Sequence, residues 1–263
     1  MAHHLAFVQR FRTFFARSLL GILLLTLPLS AYTQNEGRWY TVEIMIFKRL
    51  GGEAYTRELW RKDIKLRYPS RTQYLQPVDA ENFSQLSEEN YQLSNHRVAL
   101  QRTEDYRILY HRAWEQQMFG KSDSPAIVIS GGEMIGPYTE LSGHIKIHIG
   151  RYLHLSSDLW LITDKKPSVN VITGYDTLAS ENWPVIPHTP EDRDLVQSNA
   201  ENTAKIPIAT LDAAGNVGVE SQVRYPLATM RSTRRMRSKE LHYLDHPLMG
   251  ILILFTPLDK DTK

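Results

Sequence analysis

The chain has 263 residues, no Cys, and 31 Lys and Arg against 29 Asp and Glu. Without a thiol it can form no disulfide, use no Cys nucleophile, build no Cys-rich zinc site and carry no lipid on an N-terminal Cys, so its core alone must hold it together. Three of the basic residues, Arg10, Arg12 and Arg17, fall in an N-terminal stretch with no acidic residue; the rest carries 28 against 29, a net of −1, and bulk charge gives no argument for nucleic acid.

The apolar run Ser18–Leu29 follows those arginines, with Pro28 near its end and the small residues Ser30 and Ala31 after it. A charged start, a short apolar stretch and small residues at the end make a secretory signal peptide, 1–31, with cleavage after Ala31 or Thr33. Twelve apolar-run residues fall short of the roughly 17–25 that a membrane span needs. An uncleaved inner-membrane anchor is the alternative, because Phe7, Val8, Phe11, Phe14 and Phe15 extend the apolar character backwards. Residues 32–263 are long enough for one substantial core, and a single domain is expected.

Arg38–Lys48 is apolar on both alternating faces and reads as a central strand, closed by Gly51-Gly52. Residues 53–84 show no period, although Leu59 and Trp60 are candidates for the core. A helix is predicted over 87–102: Ser87 can cap it, Glu88 and Glu89 suit its first turn, and Leu86, Leu93 and Leu100 recur every seven residues. Tyr106–Gln116 alternates again, and Pro125–Ser130 is a short apolar strand before Gly131-Gly132. Strand, helix, strand in this order predicts a right-handed crossover.

Leu141–Ile162 carries the clearest strand pattern. Ile145, Ile147, Ile149, Leu153 and Leu155 share one face, and His144, Lys146, His148, Tyr152 and His154 share the other. Gly150 is expected to mark a bulge and Ser156–Asp158 a turn. From about 163 to 218 the composition turns polar and proline-containing, which predicts a long insertion outside the core, with a short element at Ile206–Leu211. Residues Tyr225–Leu258 return to strand patterns. The expected fold is therefore α+β: a mostly antiparallel sheet of five to seven strands with the 87–102 helix packed on one face.

Two groups of residues carry chemistry. Arg231, Arg234, Arg235, Arg237 and Lys239 form a dense basic group, followed at once by Glu240, His242, Asp245 and His246. Arginine forks grip carboxylates, on a peptide or on a protein partner, but cations on a strand edge also serve to block sheet-to-sheet pairing. On a strand, Arg231, Arg235, Arg237 and Lys239 would share a face. Glu240 and His242 invite a metal or hydrolase reading, yet their spacing matches no metalloprotease motif, and Asp245 and His246 can instead bond the turn before Pro247. His144, His148 and His154 are too far apart on a strand, at about 13 Å for four residues, to share a metal unaided. With Lys146 and Tyr152 they read as a polar face able to bind sugar. No phosphate-binding glycine loop and no nucleophile elbow are present, and no cofactor is implied.

Four segments, RRMRSKELHYLDHPLMGIL (234–252), WYTVEIMIF (39–47), YRILYHRAWEQ (106–116) and LSGHIKIHIGRYLHLSSDLWL (141–161), resemble the CsiV family. The resemblance implies a periplasmic, non-catalytic, peptidoglycan-binding protein of a Gram-negative cell. It also implies support of cell shape through a lipoprotein activator of a bifunctional peptidoglycan synthase. It transfers no binding or catalytic residue. Two rival readings remain: a protein-interaction module that does not touch glycan, and a metal-dependent wall hydrolase using Glu240 and His242.

Overall fold

The apolar alternating segments read from the sequence between Arg38 and Ile162 and from Tyr225 to Leu258 become strands, and they pair into two sheets instead of one. The computed structural model describes residues 37–50, 66–75, 83–164, 184–187, 209–211, 217–219 and 225–259. The predicted leader, Leu59, Trp60 and most of the predicted insertion lie outside them.

In chain order the elements are β1 (Trp39–Arg49), β2 (Thr72–Gln73), β3 (Phe83–Gln85), a 3-10 turn (Glu88–Asn90), α1 (Ser94–Gln101), β4 (Tyr106–Gln117), β5 (Ala126–Ile135), β6 (Tyr138–Ile149) and β7 (Leu153–Thr163). Then follow β8 (Ala209–Leu211), β9 (Val217–Val219), β10 (Tyr225–Met236), β11 (Leu241–His246) and β12 (Met249–Leu258). The first sheet runs β11-β12-β1-β4-β3 and the second β10-β7-β6-β5-β2, while β8 and β9 pair with each other. Among the described pairings all are antiparallel except β2 with β5.

One apolar cluster draws on both five-stranded sheets. Val42, Ile44 and Ile46 of β1, Trp114 of β4 and Ile251, Ile253 and Phe255 of β12 meet Ile127 and Ile129 of β5, Ile145 and Ile147 of β6 and Leu155 and Leu159 of β7. Full burial of each such side chain contributes about 1.5–3 kcal/mol. The two sheets come into close backbone contact where β5 passes β4. A Cβ on Gly131 would stand 2.2 Å from the Leu109 carbonyl oxygen, so only glycine fits.

An ion cluster ties the sheets together beside this core. Glu140 of β6 accepts from Lys48 Nζ of β1 at 2.8 Å and from Arg107 Nη2 of β4, and Arg107 Nη1 reaches Glu133 of β5 at 3.1 Å. A register shift in the β1–β4 ladder at Ile46/Phe47 separates Arg107 from the ordinary alternation of β4. As a result Arg107 meets Glu140, while His111 meets Glu43.

The α+β expectation is overturned. The protein is mostly β, and its one α-helix among the described residues has eight residues, none of them buried. The physical reason lies in β1. Glu43 is 1% exposed, and its carboxylate accepts from the backbone N–H of Gln92 at 2.6 Å and of Leu93 at 3.0 Å. These bonds pin the chain in an irregular conformation just where the helix was expected to run. Leu93 is buried there, Ser87 precedes only a 3-10 turn and makes no side-chain cap, and the α-helix starts at Ser94. The sevenfold leucine spacing therefore does not mark one helical face. The expected crossover is also absent, since β1 and β4 are direct antiparallel neighbours. Ser156–Asp158 lies in the middle of β7, and the turn falls at Gly150–Tyr152.

Candidate functional site

The outward face of the second sheet is built by simple alternation. Inward residues of β6 and β7 fill the core, so His144, Lys146, His148 and their partners His154, Ser156 and Asp158 must face out. The antiparallel register pairs His144 with Asp158, Lys146 with Ser156 and His148 with His154. Strand β10 adds the third column: Arg231 lies opposite Asp158, Thr233 opposite Ser156 and Arg235 opposite His154. Nine polar side chains thus form a grid three strands wide. An open cleft of about 380 Å³ lies over it, lined by His144, Lys146, Ser156, Asp158, Arg231 and Thr233, with Pro69 at its rim.

Each row has its own chemistry. In the first, Arg231 Nε donates to Asp158 Oδ2 at 2.9 Å and Trp160 Nε1 donates to Asp158 Oδ1 at 2.6 Å. In the second, the hydroxyls of Ser156 and Thr233 are 3.2 Å apart, and Lys146 stands beside them. In the third, the rings of His148 and His154 stack at 4.9 Å, and Arg235 lies over the ring of Tyr152 at 4.5 Å. Among the described residues no carboxylate is within ion-pair distance of Lys146 or Arg235.

Burial holds His144 and His148 below the usual imidazole value, and nearby cations push His148 the same way, so both rings are neutral at pH 7. Nδ1 of each ring is enclosed without a hydrogen-bond partner. A buried N–H without an acceptor is costly, so the proton belongs on Nε2, the ring nitrogen left to face outward as a donor.

The far end of the same face is closed off. Tyr68 packs edge-on against Trp160 at 5.1 Å, and the Gly143 N–H donates to its hydroxyl at 3.2 Å. Gly143 has φ of +129°, and a Cβ there would stand 2.3 Å from the Asp158 carbonyl oxygen. Glycine at this point lets β6 approach β7 and sets His144 against Asp158.

Comparison with known protein families matches residues 15–258 to the family described as peptidoglycan-binding protein, CsiV. The chain belongs to the CsiV family. No curated protein and no solved structure matches it.

In this CsiV member the two residue groups expected from sequence partly merge. The His144, Lys146, His148, Tyr152 and His154 group and two of the basic residues, Arg231 and Arg235, come together on one face. The others do not join them. Arg234 alternates to the opposite side of β10, in line with Met230 and Met236. The strand ends at Met236, so Arg237 and Lys239 lie in the connection to β11 and share no strand face with Arg235; this corrects the expected alignment. Lys239 has φ of 63° and donates its N–H to Phe255 O at 2.7 Å.

Glu240 is exposed and 3.5 Å from Arg237, and His242 Nε2 lies 2.9 Å from both the N and the O of Arg237. Asp245 accepts from Arg49 at 2.6 Å, and His246 Nδ1 accepts from the Leu248 N–H at 3.2 Å in the turn. Among the described residues no three His, Asp or Glu side chains are grouped to hold a metal ion. No described helix is long and apolar enough to cross a membrane.

Asp158, Ser156 and Thr233 complete the site and were not among the candidates. Asp158 and Ser156 have the same parity as His154, and reading the strand through 156–158 would have found them.

Proposed function

We propose that this CsiV member binds peptidoglycan without catalysis, through the outward face of β6, β7 and β10. The carrying observation is the grid itself, in which Lys146 and Arg235 stand unpaired by any described carboxylate on an exposed, donor-rich surface. Such cations favour an anionic polymer and hold it by charge-assisted hydrogen bonds. The binding site then faces the periplasm, to which the leader 1–31 delivers the chain; N-terminal sequencing of the mature protein, expected to begin at Tyr32 or Gln34, checks this. The family resemblance supports a further role in cell shape, by assisting a lipoprotein activator of a bifunctional synthase. Co-purification of such a lipoprotein with the protein from cells checks that step.

The direct test is sedimentation of the purified protein with protein-free sacculi, beside a Lys146→Ala/Arg235→Ala variant and an Arg102→Ala control at the exposed C-terminal end of α1. Wild type and control are expected in the pellet and the double variant in the supernatant. No sedimentation of wild type would overturn wall binding, and release of soluble muropeptides would overturn the non-catalytic reading.

A further inference from the structure

Peptidoglycan offers two kinds of surface, sugar rings and peptide stems. A sugar-binding face presents a bare aromatic ring and open acceptors for hydroxyl protons alongside its donors. The grid has no bare ring, and its acceptors are few: the hydroxyls of Ser156 and Thr233, which already bond each other, and one carboxylate. Tyr152 is the exposed aromatic ring at this face, and it already carries the guanidinium groups of Arg235 at 4.5 Å and Arg151 at 5.5 Å. Asp158 is the one carboxylate on the grid, and both of its oxygens are bonded, one to Trp160 and one to Arg231. What remains is dominated by donors: the Lys146 ammonium, the Arg235 guanidinium and the Nε2–H of His144, beside the hydroxyls of Ser156 and Thr233, which can donate or accept.

We propose that this face, the cleft together with Arg235 just beyond its end, recognises carboxylates of the peptide stems and not the sugar rings of the wall. The inference rests on the wall-binding reading above and names its ligand. The spacing suits a ligand with more than one anionic group. Lys146 lies two strands from the β10 column, roughly 10 Å away, and Arg235 lies two residues further along, about 7 Å. A short peptide bearing several carboxylates spans that distance, while a single small anion meets only one of the two cations. The neutral His144 supplies a hydrogen bond without adding charge beside Arg231, so the cleft keeps a directional donor next to Lys146.

The test uses the full mature protein in three sedimentation arms. The first arm is intact protein-free sacculi. The second is the same sacculi with their carboxylates converted to methylamides. The third is peptide-free glycan strands, whose only carboxylate is the lactyl group, set beside a soluble N-acetylglucosamine oligomer. The expected result is binding to intact sacculi and at least about tenfold weaker binding to both the amidated sacculi and the bare strands. The Lys146→Ala/Arg235→Ala variant is expected to bind intact and amidated sacculi equally weakly, with an unchanged melting temperature, while Arg102→Ala keeps the wild-type difference.

Equal binding of wild type to intact and amidated sacculi overturns the carboxylate assignment and leaves wall binding standing. Full binding to bare strands moves the ligand to the lactyl group, and binding to the oligomer moves it to the sugar; either overturns the stem assignment. Failure on intact sacculi overturns the wall-binding reading and this inference with it.

Discussion

The guanidinium carbon of Arg235 stands 4.5 Å from the ring centre of Tyr152. The two residues come from β10 and from the β6–β7 turn, far apart in sequence. The ring holds in place, at the end of the polar grid, an arginine that no described carboxylate pairs, and exposed cation–π contacts of this kind contribute about 0.5–1 kcal/mol.

Tyr152→Ala is therefore expected to weaken binding to sacculi about two- to fivefold. Tyr152→Phe keeps the ring face and is expected to bind like wild type. A sedimentation titration measures both, and an alanine variant that binds normally would separate Tyr152 from the site.

Glu43 is the fold's most connected buried carboxylate. It accepts from His111 Nε2 at 2.8 Å and from two backbone N–H groups, and Tyr91 packs edge-on over His111 at 4.7 Å. Glu43→Ala leaves two buried partners, the Leu93 N–H and His111, and the part-buried Gln92 N–H unsatisfied, and a loss of about 3–5 kcal/mol is expected. Glu43→Gln keeps one acceptor oxygen and should lose less. Urea unfolding midpoints decide; a loss under about 1 kcal/mol for the alanine variant would mean the 87–93 segment is held by something else.

Gly143 tests how the site is built. Alanine there faces both an unfavourable positive φ and a contact at 2.3 Å with the Asp158 carbonyl oxygen. A loss of at least about 2 kcal/mol is expected, which for a domain of this size lowers the melting temperature by about 4–8 °C. Because the substitution pushes β6 from β7 between His144 and Asp158, sacculus binding should fall as well. Gly150→Ala is the contrast, since no atom lies within 4 Å of a Cβ there, and its melting temperature should stay near that of wild type.

Stability should fall as the medium is made mildly acidic. Burial lowers the values of His144, His148 and His246 from the ordinary 6.5. Below about 6.5 the unfolded chain takes up protons that the folded one refuses, so stability is full above that value and is lost as pH drops past it. Melting temperatures measured from pH 8 to pH 5 check the direction. A His144→Asn/His148→Gln variant should show a shallower fall; an identical slope would assign the acid sensitivity to other groups.

The strands were legible because their periods are strong. Val42, Ile44 and Ile46, and likewise Ile145, Ile147 and Ile149, mark their faces in the sequence, and those faces are the ones buried. The helix at 87–102 was misread because cap and leucine-spacing signals are local, and Glu43, some fifty residues away, outweighs them by binding the Gln92 and Leu93 N–H groups. Arg107 and His111 have the same parity, so plain alternation puts them on one face, and nothing in the sequence announces the irregularity that separates them.

By itself the sequence determined the chemistry available to this CsiV protein: where the long strands run, which of their faces are polar, a histidine-rich stretch and an arginine-rich one, and no thiol. Alternation and composition are properties of neighbouring residues, so they survive without a fold. Only the tertiary structure decided that the two stretches meet. The β7–β10 pairing joins His154 to Arg235 across some eighty residues, brings Asp158 in to occupy Arg231, and turns Arg234 and Lys239 away. Register between distant strands is fixed by the shared core beneath them, and that core exists only when both sheets have closed on it.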